Sequence, residues 1–537
     1  MDSVVADIAF NVSNRNRWKV RTSDQVLLST TMRQKQKAAL LTIFCAALAL
    51  LSICSPNCGS NLCAQETRYE LGRRLKRFEQ QWEIADLHGR SRSTALMEKT
   101  VSSFFSLRLL DAAKSLDLAT VALRQSRPPG ADTAWLMSRR IDATPLLSDA
   151  TNTELKLTLK SFYPLTQENS GYNKKIHIRF AIYPLASRGE YALAFDKSKV
   201  PLHQSDPIAR QALEQCWTWQ NLELQEGDYV IVAKAIINGI EIDLGNFVIS
   251  RVGQLESRLS SIDKASETLR KTGIKSSGDV TIANHFSLLK NINSGLVQET
   301  DYPASRLLLD AETLMKSNGD CSALLNDQFI GDTWISLAKD QRTANIRLRV
   351  PPKRSETYPV LFLFHGAGGS ENMFFETYGA GRAVQFAADR GWIAVAPRQR
   401  LLGGIGLSST EIFEEIARYF PVDRDRVFFM GHSMGAMQAA QQTVQAPDLP
   451  SAVVALGGGG RFGSREPGAA PWFIAAGDRD FGKSGARSLV DALTAKGKTV
   501  QWKEYPQTEH MVIVQASLDD VFAFLDAIAT MNRSENH

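Results

Sequence analysis

"VFFMGHSMGAM", residues 427–437, runs four apolar residues straight into Gly431-His432-Ser433-Met434-Gly435 and continues with small side chains. The apolar run has no polar alternation, so "RVFFM" reads as a strand buried on both faces, and "MGAMQAAQQTV" reads as a helix. Ser433 falls in the turn between them. Glycine stands two places either side because a sharp strand-to-helix reversal leaves no room for a Cβ there. Such a turn lifts the hydroxyl above the sheet and aims a helix N-terminus at it. Gly-x-Ser-x-Gly in a strand–turn–helix setting is the nucleophile elbow.

Outward from this point the pattern repeats. Upstream lie "TWISLAKD" and "NIRLRVPP", which read as a leading hairpin, then "YPVLFLFHGAGG", a helical stretch around "GAGRAVQFAADRG", "WIAVAPR" and "STEIFEEIARYF". Downstream lie "SAVVALGGGG", "PWFIAAGDRD", "ARSLVDALTAKG", "TVQWKEYP" and a closing helix, "DDVFAFLDAIATM". Continuous apolar strands alternating with amphipathic helices predict an α/β fold: a mostly parallel sheet with helices on both faces. Ligands of such sheets bind at the carboxyl ends of the strands, so residues just past each strand are the ones to search.

A serine nucleophile needs a base, and the base needs an orienting acid. After Ser433 the only histidines are His510 and the terminal His537. His510 follows the last strand, in "EYPQTEHMV", where a loop can return it over the sheet. The acid should follow the strand before, "PWFIAAG". Asp478 and Asp480 both stand there; Asp480, three residues past Gly477, has the loop length to reach His510, and Asp478 is placed to cap the turn. His432 sits inside the elbow and points away from the role of base. Asp423 and Asp425 precede a strand and belong to the opposite edge of the sheet. For a developing oxyanion, the Gly-rich turn in "LFLFHGAGGS" offers the backbone N–H of Ala367, to be joined by that of Met434. A phosphate loop would want Lys and then Ser or Thr after the glycines, and Ser370-Glu371-Asn372 follows instead.

The whole chain has 537 residues, which predicts about two or three domains. Its 62 basic and 57 acidic side chains nearly balance, and no long Lys/Arg run is present, so nothing argues for a nucleic-acid partner. Arg33, Lys35 and Lys37 precede an apolar run from Ala38 to Ile53, followed by "CGSNLCAQE". That is the form of a secretory signal, cut near Ala64, with Met32 the better physical start. The run is short against the about 20 residues of a membrane helix, which leaves an uncleaved anchor as the alternative. The expectation is an exported protein, periplasmic or secreted. Cys45, Cys54, Cys58 and Cys63 lie in this leader, so a mature chain keeps Cys216 and Cys321, as one disulfide or two thiols.

The remaining sequence divides into a leader (1–65), a helical segment (66–150), a small antiparallel β domain (151–252), a helical connector (253–332) and the α/β domain (333–537). Helical spacing joins Leu71, Leu75, Phe78 and Trp82, and a second helix is expected over Val101, Phe104, Phe105, Leu109 and Ala112, stopped by "SRPPG" at 126–130. From 153 to 252 the period is two, with Asn238-Gly239 between apolar runs as a hairpin turn, giving about half a sandwich. Leu255, Leu259, Ile262 and Leu269 return to helical spacing, which loosens through "KSSGD" and "NINSG". His88, His177, His203 and His285 have no metal-ligand spacing, and Trp217 and Trp219 read as core, with a sugar-stacking platform as the rival.

With these motifs in place, residues from about 333 to 537 resemble an α/β-hydrolase catalytic domain. The matching stretches are "HGAGGSENMF", "RGWIAVAPR", "VDRDRVFFMGHSMGA", "GDRD" and "EH". They are similar to the secreted esterase branch that includes feruloyl esterases and polyhydroxybutyrate depolymerases, with kinship to the prolyl-oligopeptidase and dienelactone-hydrolase groups. The resemblance covers somewhat over a third of the chain, and residues 66–332 lack the propeller blades of a prolyl oligopeptidase.

The combined expectation is an exported serine hydrolase acting on carboxylic esters, with Ser433, Asp480 and His510 as triad and Ala367 and Met434 as oxyanion donors. It needs no metal or organic cofactor. Arg398 and Arg400, in "APRQR", either greet an acidic substrate or form surface ion pairs. No lid insertion separates the core strands. The N-terminal module is expected to meet a polymer, a cell-envelope or polysaccharide partner, or none. Two rivals stand: a serine peptidase with the same triad, and a binding or scaffold protein with a relic hydrolase domain.

Overall fold

The computed structural model describes residues 59–165, 176–186, 193–273, 276–399, 406–460, 462 and 464–535. The basic residues and apolar run of the expected secretory segment, Cys45, Cys54, Cys58 and Arg400 lie outside them, while the expected cut near Ala64 falls within the first described helix. Among the described residues no helix is long and apolar enough to cross a membrane.

Three helices open the described chain: α1 (Gly59–Ile84), α2 (Leu87–Phe105) and α3 (Leu109–Arg124). The sequence pattern from Val101 to Ala112 had suggested one helix. The chain instead breaks at Leu107, whose φ of 59° lies in the left-handed region, and turns back as α3. Asp86 caps α2, its Oδ1 accepting the Gly89 N–H at 2.6 Å. Phe78, Trp82, Met97, Leu116 and Leu123 gather into one apolar cluster, and that cluster also takes in Val512 from the far end of the chain.

The β region that follows is a full two-sheet sandwich, not half of one. Strands Arg139–Thr144, Leu155–Ser161 and Trp217–Trp219 form one sheet. The other is built around the hairpin Gly227–Ile237 and Ile240–Val252, with His177–Pro184 beside it. Asn238 and Gly239 at the hairpin tip have φ of 49° and 80°, the paired left-handed conformation that this dipeptide tolerates. Leu155, Leu157 and Leu159 of the first sheet share a core with Ile178, Phe180 and Ile231 of the second. Trp219 is buried there and Trp217 packs against it, as core residues do. Cys216 is exposed and Cys321 buried, and both are free thiols.

Helices Leu255–Thr272, Ser277–Asn293 and Ala304–Lys316 come next. The second begins within "KSSGD", where the sequence spacing loosens. Ser276 caps it, accepting the Asp279 N–H while the Asp279 carboxylate accepts the Ser276 N–H, a reciprocal capping box. Leu259, Leu289 and Leu307 from these helices share an apolar cluster with Val360, Phe362 and Val427, so this segment covers one face of the following sheet.

That sheet has eight strands: β1 (Gly331–Lys339), β2 (Arg342–Val350), β3 (Tyr358–Phe364), β4 (Ile393–Pro397), β5 (Val422–His432), β6 (Ala452–Leu456), β7 (Trp472–Gly477) and β8 (Val500–Tyr505). Their order is β1-β2-β4-β3-β5-β6-β7-β8. β2 pairs antiparallel with β1 and β4; every later neighbour is parallel. β3, β4, β6 and β7 are buried throughout because both faces are covered. Successive residues take opposite sides: Phe362, Phe429, Val453 and Ile474 face one core, and Leu361, Phe428, Val454 and Phe473 the other. Helix α4 (Met434–Gln445) packs on the first face and α5 (Ile513–Glu535) on the second.

Candidate active site

β5 ends at His432 and α4 begins at Met434, leaving Ser433 alone in the turn with φ 57° and ψ −116°. A non-glycine residue is held there only where its surroundings dictate it. They do so by close backbone approach. A Cβ on Gly431 would fall on the Gly435 carbonyl, and one on Gly435 would fall on the Phe364 carbonyl at the end of β3. The elbow is therefore pressed against the neighbouring strand end, and the spacing of its glycines follows from that contact.

Ser433 Oγ lies 2.9 Å from His510 Nε2, and His510 Nδ1 lies 2.7 Å from Asp480 Oδ1. Read as a network, the serine hydroxyl donates to Nε2 and Nδ1–H donates to the carboxylate. Asp480 Oδ1 also accepts the Gly482 N–H at 2.6 Å. Burial would raise the Asp480 carboxyl, but the His510 imidazole and the Gly482 N–H outweigh it and hold the group below its usual value. Asp478, the other candidate, accepts the Thr508 N–H at 3.3 Å and so ties the β7 turn to the His510 loop. Asp423 pairs with Arg426 at 2.6 Å, at the start of β5 and so at the other end of that strand.

His432 is not a second base. Its Nε2 lies 2.8 Å from the His510 carbonyl and its Nδ1 2.8 Å from the Tyr378 hydroxyl, which accepts the Gly366 N–H at 3.0 Å. Nε2–H donates to the carbonyl, and the tyrosine donates to Nδ1. Burial and the adjacent His510 push the His432 imidazole down to about 3, so the ring is neutral. Tyr378 thus joins the Gly-rich turn to the loop carrying the candidate base. Nothing in its sequence context had marked it.

The turn after β3 closes by Gly369 N–H donating to the Gly366 carbonyl at 3.2 Å, with Gly368 at φ 78°. The N–H of Ala367 has no acceptor among the described residues, and Met434, as the first residue of α4, has no helical carbonyl to receive its own. Both residues therefore offer free donors beside Ser433. Arg398 stands 3.6 Å from Glu299 and 3.6 Å from Glu371, and does not line the cavity at Ser433. Among the described residues no group of three or more His, Cys, Asp or Glu side chains is placed to hold a metal ion.

The cavity in front of Ser433 and His510 has a volume of about 760 Å³. It is lined at one side by the strand-end residues Ser433 and His510 and elsewhere by α1 and α2, including Arg68, Phe104 and Phe105, and it extends to α3 and to sandwich residues such as Val230 and Ile242. The Phe105 and Phe481 rings stand 6.4 and 4.0 Å from the His510 ring, centroid to centroid. Thr94 of α2 donates to the Gln507 carbonyl at 2.9 Å, in the His510 loop. Among the described residues no lid insertion interrupts the sheet between β3 and β8. The cover exists, and it is supplied from the N-terminal side. Val101, Phe104 and Phe105 read in sequence only as a helix core.

A sheet of this order, with a nucleophile elbow after β5 and Ser, Asp and His in that chain order, has the α/β-hydrolase type of fold. No family model matches the chain, and no curated protein does. Among solved structures, an S-formylglutathione hydrolase from Agrobacterium tumefaciens is similar at 17% identity over 36% of this chain and 95% of that one, with a TM-score of 0.31. An S-formylglutathione hydrolase from Staphylococcus aureus is 16% identical over 37% of this chain and 99% of that one, at 0.30. A ferulic acid esterase is 17% identical over 37% and 97%, at 0.31. At scores this low the likeness adds nothing to what the strand order and elbow establish.

Proposed function

We propose that the chain is a serine hydrolase that cleaves carboxylic esters through an acyl-enzyme. The observation that carries the reading is the unbroken hydrogen-bonded line from Asp480 through His510 to Ser433, at 2.7 and 2.9 Å, opening on a covered cavity. His510 Nε2 takes the hydroxyl proton as Ser433 Oγ attacks the acyl carbon. The carbonyl electrons move onto oxygen, where the N–H groups of Ala367 and Met434 hold the charge. Collapse expels the alcohol, which leaves with the proton from His510. Water then attacks the acyl-serine, His510 accepts its proton, and the acid departs as Ser433 is reprotonated. Asp480 fixes the imidazole tautomer and stabilises its cation.

An amide asks more of the same groups, because its amine must be protonated before it leaves. Assay on aryl acetates and on aminoacyl amides therefore tests the reading: ester turnover is expected, and amide-only turnover would overturn it. A fluorophosphonate should label the wild-type chain and leave Ser433→Ala unlabelled; an unlabelled wild type would point to a relic site. The basic-then-apolar stretch from Arg33 to Ile53 supports export. Sequencing the mature N-terminus checks it, with cleavage near Ala64 expected.

A further inference from the structure

Resting on that reading, we propose that Arg68 is a positioning residue for the oxyanion turn, so that helix α1 is a working part of the active site. The turn Gly366–Gly369 is glycine at three of its four positions. Glycine carries the largest conformational entropy of any residue, and preorganised donors are effective only if they do not reorganise during the reaction. The turn's internal bond joins residues 366 and 369 and does not use the Gly368 carbonyl. Arg68 Nη2 donates to that carbonyl across 300 residues of sequence. It is a charge-assisted bond from a planar, preorganised group. Phe104 closes the same spot: a Cβ on Gly368 would lie 3.3 Å from its ring and 3.8 Å from Arg68 Nη2. The two helices thus grip the residue next to Ala367 from outside.

The grip is firm because α1 is fixed to the α/β part along its length. Lys76 Nζ lies 2.6 Å from Glu376 Oε2. Glu79 Oε2 accepts the Ala380 N–H at 2.9 Å, and Glu83 Oε2 pairs with Arg382 Nη1 at 2.5 Å. Gln515, on α5, donates to the Glu79 carbonyl at 3.1 Å and to Glu83 Oε2 at 2.7 Å. About two turns of helix are held in register, and Arg68 stands about two turns N-terminal to them on the same helix. The guanidinium touches the turn and not the reacting atoms, so its action passes through the Ala367 donor.

The test uses the full chain and p-nitrophenyl acetate, a small neutral ester that offers Arg68 no anion to bind. Arg68→Ala should lower kcat by about 10- to 100-fold, the cost of a small misplacement at the reacting centre, with KM unchanged. Arg68→Lys should keep part of the rate. Millimolar guanidinium should restore part of it to Arg68→Ala and none to the wild type. If the alanine variant does not fold, Arg68→Gln, which keeps a donor without the charge, is measured in its place with the same expectation of a kcat loss. An unchanged kcat overturns the inference. So does a raised KM at full kcat, which would make Arg68 a substrate contact, or a rate loss matched by a lower melting temperature with no rescue. A wild type that turns over no ester and takes no fluorophosphonate defeats the hydrolase reading itself.

Discussion

At the floor of the cavity, Ser433, Asp480 and His510 stand just past three different parallel strands, β5, β7 and β8, each fixed by its own strand end. At the α1 wall, the charged side chains of that helix are engaged with partners. Arg74 lies 3.0 Å from Asp117, which also accepts the Tyr163 hydroxyl at 2.9 Å, and Lys76 and Glu83 hold the sheet side. The floor therefore presents groups free to exchange protons, and the wall presents shape and anchorage. The two differ in what a substitution should cost, which makes the division testable.

The largest effect is expected at the floor. Asp480→Asn keeps the side-chain volume but permits the wrong imidazole tautomer, and steady-state kinetics should show kcat reduced by about 10⁴-fold. A loss of that size from Glu79→Gln on α1 would erase the distinction between floor and wall. Next comes packing. Phe78 is fully buried between the helices and the Val512 turn, so Phe78→Ala should lower stability by about 3–5 kcal/mol in a denaturant titration. A single shifted transition is expected if wall and floor unfold together, whereas two separated transitions would make them independent units.

The last effect concerns acid. Burial pushes His365 down to about 4 and His432 down to about 3, so the folded chain refuses protons that the unfolded chain accepts. Stability should be unaffected by these groups above about pH 6.5, then fall as pH drops towards 4 and 3. Denaturant midpoints across that range should decline in the wild type and decline less steeply in His432→Asn, where His365 alone remains. An equally steep decline in the variant would assign the acid limb elsewhere.

The floor was legible because its chemistry is local. Wholly apolar strands have one reading, the elbow glycines announce a close approach, and only one internal histidine follows Ser433. The helix Ser277–Asn293 was harder. Gly278, inside its first turn, looks like a breaker in "KSSGD", yet a Cβ there would fall on the Gly319 carbonyl, so the glycine serves packing. The wall was illegible for a different reason. The apolar face of α1 (Leu71, Phe78, Trp82) shows that the helix is covered but not by what. Its partners, Gly368, Glu376 and Gln515, lie hundreds of residues away. Tyr378 was equally silent, since a lone tyrosine in a loop has no spacing to betray it.

That distance has a consequence for how the molecule comes into being. Contacts such as Thr94 with Gln507 and Glu79 with Gln515 span 413 and 436 residues. Loop closure over such lengths must precede any reward from the contact, so these are slow, late events. During synthesis the opening helices can cover Phe78 and Trp82 only with their own Met97, Leu116 and Leu123, and wait for almost the whole chain before the Val512 side of the cluster exists. A nascent chain stalled before residue 507 is therefore an aggregation hazard and a natural client for chaperones.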